Sequence, residues 1–313
     1  MKTMSLLNSF KRLDRIEGKA MRDLERRLVR NYRVSLSAIR NLIAGVAYER
    51  YNGSWSAMMQ YNRLGRLEEQ IGKEVAKLTG KTAIGIKTGM AAGYKESFHH
   101  VAFGVMKESK VKLAFGLLRE ADVARAVSNP LDRVGFLKRN RMNQAVLTRQ
   151  MQDILAEGLA QGKGYSVVGR EISERMGVGA NNAVRIARTE MHRSQQAGRM
   201  DSIREADEMG VKMIKVWSSS LDDVTREEHQ DLDGQKREID EDFEIDGMTA
   251  SEPGAFGIAQ LDINCRCSVR SEIKGYEPEL RYRRDKLGKE GEVSEFTDYH
   301  EWVKDREERA RKK

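Results

Sequence analysis

The chain has 313 residues, 39% of them hydrophobic and 33% charged, with a formal net charge of +8 and only three prolines. That length suits about two domains at the usual ~100–200 residues each, and the scarcity of the main helix breaker predicts long uninterrupted helices. No run of about 18 consecutive apolar residues occurs, which excludes a membrane-spanning helix. The first residues lack a sustained apolar stretch, so no secretory signal is expected. Two cysteines only two residues apart make a poor disulfide framework and fit a reducing compartment. The charge is polarised: residues 1–220 sum to +17, residues 221–260 to −10, and residues 272–313 to zero. A basic body fits phosphate neutralisation without sequence reading. It equally fits a helix surface that is simply basic and solvated, since charge speaks to association and not to fold.

In chain order, residues 9–50 carry apolar side chains at three- and four-residue steps, as in Leu13, Ile16, Leu24, Leu28, Leu36, Ile39 and Ile43, and read as one or two helices. Arg22, Arg26, Arg27, Arg30 and Arg33 line the other side, a set suited to gripping phosphates or to an exposed helix face. Asn52-Gly53-Ser54 is an expected break. Residues 55–78 continue the helical period, and Thr79-Gly80 reads as its stop. Within 82–107, Gly85, Gly89 and Gly93 fall on one helix face and predict close packing against a neighbour. Asn129 to Asp132 reads as a turn. Residues 136–161 form an amphipathic helix with Met142, Val146, Met151, Ile154, Leu155 and Leu159 inward, ended by Gly162-Lys163-Gly164. A short helix is expected from Ser166, as N-cap, to Met176. Gly177-Val178-Gly179 would separate it from another helix over 181–209.

The period then changes. Residues 211–217 alternate and read as a strand. Arg226 to Leu232 reads as a short helix, Asp233-Gly234 as a tight turn and Phe243 to Ile245 as a short strand. Residues 247–260 read as a loop and Ile263 to Ile273 as a closing strand. The fold class is therefore α+β. A mainly helical region over 1–209 precedes a small α+β module over 210–273 with a short sheet, and a charged tail covers 274–313.

These motifs together resemble the phage head morphogenesis domain of the Mu F-like minor head proteins. The matching residues are Arg188-Thr189-Glu190, Gly198-Arg199, Trp217, Asp222-Asp223, Arg226, His229, Leu232-Asp233-Gly234-Gln235, Pro253 and Asn264-Cys265-Arg266-Cys267. The resemblance covers roughly residues 140–272. It implies a non-enzymatic virion protein, present in few copies inside the head of a tailed phage near the portal vertex. It implies roles in head morphogenesis and in delivery of packaged DNA. The implied partners are the portal protein, double-stranded DNA and capsid or scaffolding protein, with the host cytoplasm as the place of assembly. Where some relatives carry Cys-x-x-Cys, this chain has Arg226-Glu227-Glu228-His229, and no histidine stands just before Asn264.

The chemistry left open is a metal site. On a strand, Cys265 and Cys267 put both thiols on one side and Arg266 on the other. With His229 they make three soft or borderline ligands, and Asp222 or Asp223 would supply a fourth, a mixed set that zinc accepts. The alternative is two buried thiols and a histidine bonded to an aspartate, and Cys-x-Cys is closer than the usual zinc spacing. A metal-dependent nuclease or peptidase on Asp222, Asp223, His229, Cys265 and Cys267 is the competing function, but no nucleophile or oxyanion device accompanies it. Ser218-Ser219-Ser220 reads as a helix-capping run. Arg188, Glu190 and Arg226 read as a buried ion-pair set joining the last long helix to the module. A third possibility, a carrier for a toxin domain, is disfavoured by the roughly forty residues after the module.

Overall fold

The computed structural model describes residues 6–48, 63–111, 113–116, 118–128, 135–220, 222 and 224–274. The expected break at Asn52-Gly53-Ser54, the turn at 129–132, Asp223 and the tail beyond Lys274 lie outside the described residues. Five long or medium helices come first: α1 Leu6–Tyr48, α2 Arg63–Ser109, α3 Glu120–Ser128, α4 Phe136–Ala160 and α5 Tyr165–Glu208. All described strands follow them: β1 Met213–Ser218, β2 Lys236–Arg237, β3 Phe243–Ile245, β4 Met248–Ala250 and β5 Ser268–Ile273. Two short helices sit between strands, α6 Glu227–Asp231 and α7 Ala259–Asp262. This is the expected α+β order, helices first and a small sheet last. Among the described residues no helix is long and apolar enough to cross a membrane.

Several boundaries differ from the sequence reading. The helix does not stop at Thr79-Gly80, because α2 runs through both. Likewise α5 runs unbroken through Gly177-Val178-Gly179 and starts before Ser166. Glycine disfavours a helix by only about 1 kcal/mol, and in a helix of 44 residues packing outweighs that. Gly179 also has a packing reason. A Cβ there would stand 3.1 Å from Tyr32 and 3.2 Å from Leu147. On α4, Met151, Ile154 and Leu155 are buried as expected, but Met142 and Val146 are 58% and 54% exposed. The inward stripe instead runs through Phe136, Asn140, Leu147 and Met151. Asn140 pulls the stripe round, donating its side-chain amide to the Thr79 carbonyl at 3.0 Å.

The chain forms two compact units. One comprises residues 21–89 and 133–190 and has no strand among its described residues. Its core holds Tyr32, Ile39, Ile43, Leu67, Ile71, Val75, Leu147, Met151, Val168, Ile172 and Met176. The other comprises residues 1–20, 90–132 and 191–313. Its core joins Phe10, Leu13, Phe98, Phe103, Met200 and Ile203 from helices to Trp217, Phe243, Cys265, Cys267 and Val269 from the sheet region.

The sheet has the order β2-β1-β5, with both pairings antiparallel. Register runs from Met213 opposite Ile273 to Ser218 opposite Ser268. The inward side of β1 is Met213, Lys215 and Trp217. Lys215 is tolerated there because its ammonium donates to the Ser251 carbonyl at 2.9 Å and lies 5.0 Å from the Phe243 ring centre. β3 and β4 form a hairpin around Asp246-Gly247, both at positive φ, as a two-residue primed turn requires. The expected loop over 247–260 therefore contains a strand and part of α7.

Candidate functional site

The site is built where β1 ends. Trp217 is fully buried, because β1 presents it to the core edge-on to Phe243 at 5.2 Å and to His229 at 5.9 Å. Its indole N–H donates to the Ser219 hydroxyl at 3.1 Å, and that hydroxyl donates to the His229 carbonyl. Asp233 accepts the Ser219 backbone N–H at 2.7 Å, and Gly234, at φ +75°, turns the chain back so that its N–H reaches the Trp217 carbonyl at 2.9 Å. This turn fixes α6 over the Trp217 ring. The serine run is thus a tether and not a helix cap: Ser220 donates to the Arg266 carbonyl at 3.0 Å, and Arg226 stands at the N-cap.

The second wall is the stretch before β5. Asn264 adopts φ +57°, a left-handed conformation that asparagine tolerates better than most residues. Arg226 holds this bend by donating to the Ile263 carbonyl at 2.6 Å. Cys265 and Cys267 precede the paired part of β5 and do not belong to it, yet both sulfurs turn to the same side. His229 Nδ1 lies 3.7 Å from the Cys265 sulfur and 3.3 Å from that of Cys267. All three residues are buried, at 2%, 4% and 2% exposure. The expected meeting of His229, Cys265 and Cys267 is therefore present.

The two thiols are electrostatically unequal. A hydrogen bond from Cys265 pulls the Cys267 thiol well below its usual range, with His229 and Ser219 acting against burial in the same direction. That bond, together with burial, pushes Cys265 well above its usual range. The arrangement sets two sulfurs beside an imidazole, a donor set suited to a soft cation.

Asp222 does not join this cluster. Arg266 forks onto its two oxygens at 2.5 and 2.6 Å near the surface, and these donors hold the Asp222 carboxyl down to about 2. Nor do Arg188, Glu190 and Arg226 form one set. Arg188 forks onto Glu25 at 2.6 and 3.1 Å and is half exposed, Glu190 takes Arg139, and Arg226 serves the Ile263 carbonyl. Each arginine satisfies an acceptor far away in sequence, which spacing alone does not reveal.

The sequence reading also missed the most buried charge. Arg199 is fully buried and forks onto Glu17 at 3.0 and 2.5 Å, donates to Asp14 at 2.6 Å and reaches the Val269 carbonyl at 3.3 Å. Gly198 beside it lets α2 approach, because a Cβ would stand 2.4 Å from the Tyr94 carbonyl oxygen. His192, about two turns earlier, meets the Cys267 carbonyl at 2.7 Å, and Gly254 at φ +85° passes over the other side of its ring. The Gly198-Arg199 pair and Pro253-Gly254 carried the signal.

The five arginines of α1 sit as the periodicity requires. Arg22, Arg26, Arg27, Arg30 and Arg33 are all exposed, and Arg26 pairs with Asp23 on its own helix. At about 100° per residue, Arg22, Arg26, Arg30 and Arg33 fall within roughly 80° of arc, with Arg27 about 60° beyond it.

Comparison with known proteins agrees with these motifs. The family described as Phage Mu protein F like protein matches residues 149–270. The minor head protein GP7 of Bacillus phage SPP1 is 31% identical over 299 residues, covering 93% of this chain and 96% of that protein. An NAD(+)–arginine ADP-ribosyltransferase, EFV, of Enterococcus faecalis is 29% identical over 304 residues, 97% of this chain; the chain spans 62% of that longer relative. No solved structure matches the chain. Nearly end-to-end similarity to GP7, with the family match over the motifs described above, makes this chain a member of the phage Mu F-like minor head protein family.

Proposed function

We propose that the chain is a non-enzymatic minor head protein that acts in head morphogenesis at the portal vertex and binds packaged DNA without sequence preference. The observation that carries the head role is the similarity to GP7 across 93% of the chain. DNA contact rests on the exposed arginine face of α1 and on the +17 carried by residues 1–220. Arginines on one helix face neutralise phosphates and read no base, so affinity falls steeply with salt, with a log–log slope of about −0.9 per neutralised phosphate.

A transferase relative raises a second reading, an enzyme. The site favours the first. His229, Cys265 and Cys267 are 2–4% exposed, closed to a macromolecular substrate, and Asp222 is engaged by Arg266. Part of that relative lies outside the similarity.

The test has two arms. Full-length protein is titrated with random-sequence duplex DNA between low and physiological salt. A salt slope lowered by about 3 in an Arg22, Arg26, Arg30 triple alanine variant supports the arginine face. Binding unchanged by salt or by the variant refutes it. Co-purification of the chain with the portal protein from infected cells supports the vertex position, and a portal fraction free of it refutes that.

A further inference from the structure

We propose that His229, Cys265 and Cys267 hold a structural zinc ion, with an oxygen at the fourth corner. The proposal is independent of the DNA and portal reading. Zinc bonds of about 2.3 Å to sulfur and about 2.0–2.1 Å to nitrogen in tetrahedral geometry put nitrogen and sulfur ligands roughly 3.6 Å apart. The observed separations from Nδ1, 3.3 and 3.7 Å, bracket that value, and all three ligand atoms lie within 4.8 Å of one another. The ligands need no rearrangement of backbone to close on an ion. Cys-x-Cys is short for zinc, but after the left-handed Asn264 bend both sulfurs lie beside the same His229 nitrogen. Ser219 supplies an oxygen 3.6 Å from the Cys267 sulfur, a ligand-to-ligand distance of the same size, so that hydroxyl completes the set.

The placement gives the ion work to do. α6 has five residues, far below the length at which a helix is stable alone. It is tied down by the Ser219 and Asp233 contacts on one side and by the His229 ring on the other. A zinc bridging His229 to the Asn264–Cys267 segment would lock α6 across Trp217 and fasten the two ends of the acidic stretch together. Burial of all three ligands marks a closed, structural site and not a catalytic one, which keeps an open position.

The experiment uses the full chain purified without added metal or chelator. Elemental analysis should find zinc in a one-to-one ratio with protein. Replacement by Co2+ should give intense tetrahedral d–d bands and a thiolate-to-cobalt charge-transfer band. Cys265→Ser and Cys267→Ser should each lose the ion, while Asp222→Asn, outside the cluster, should keep it. Should the cysteine variants fail to fold, the wild-type stoichiometry and cobalt spectrum still decide. Folded wild-type protein with no zinc and no cobalt bands on titration overturns the proposal. So does zinc retained undiminished by both serine variants, or copper found in its place.

Discussion

Replacing Arg199 by methionine tests the architecture around the sheet. Arg199 is fully buried among two carboxylates and a backbone carbonyl. Asp14 is 32% exposed and keeps Arg270 at 3.0 Å, so it tolerates the loss. Glu17 is only 10% exposed and keeps the Ser97 hydroxyl at 2.7 Å, which does not neutralise its charge. Breaking a buried pair on one side leaves such a charge uncompensated and costs about 3–5 kcal/mol; partial exposure of Asp14 places this case near ~3 kcal/mol. Urea unfolding of the full chain, followed by circular dichroism and tryptophan fluorescence, measures it. Adding Glu17→Gln to Arg199→Met removes the orphaned charge and should recover ~1–2 kcal/mol. A single-variant cost below ~1 kcal/mol, or a double variant that recovers nothing, refutes the reasoning.

Two glycines on α5 should respond oppositely to alanine. Gly198→Ala drives a Cβ to 2.4 Å from a main-chain oxygen and should cost about 1–3 kcal/mol. Gly177→Ala meets nothing within 4 Å and should stabilise by about 0.5–1 kcal/mol; melting curves of both variants check the pair. Asp222 titrates at about 2 because Arg266 donates to its charged form. Its depressed value means that the fork's contribution is intact above the ordinary carboxylate range near ~4 and fades as pH falls through about 2. Carboxyl NMR titration of Arg266→Met should return Asp222 toward ~4, and an unmoved value contradicts the assignment.

How far the sequence could be read follows from which forces are local. The switch from helical steps to alternation after residue 210 placed β1, β3 and the paired part of β5, though not β2 or β4, and Asp233-Gly234 announced its turn. Asp246-Gly247 makes a second tight turn, but residues 247–260 read as a loop and the β3–β4 hairpin was missed. Glycine was over-read at Gly80 and Gly177, since its modest helix penalty is outweighed by packing along helices of 47 and 44 residues. The cluster of His229, Cys265 and Cys267 was legible because two tight turns bring the ligands together. Arg199 was not, since its partners lie 182 and 185 residues away and a lone arginine on a helix reads as surface. Arg188 and Glu190 misled for the same reason, each pairing across the fold and not along the motif.

Membership in the minor head protein family makes presence in the particle the central expectation. Quantitative mass spectrometry of purified, DNA-filled heads tests it most directly. The chain should be there in a few copies per head, at a fixed ratio to the portal protein and resistant to external protease. Heads that lack the chain, while the lysate they came from contains it, would rule out a place in the particle.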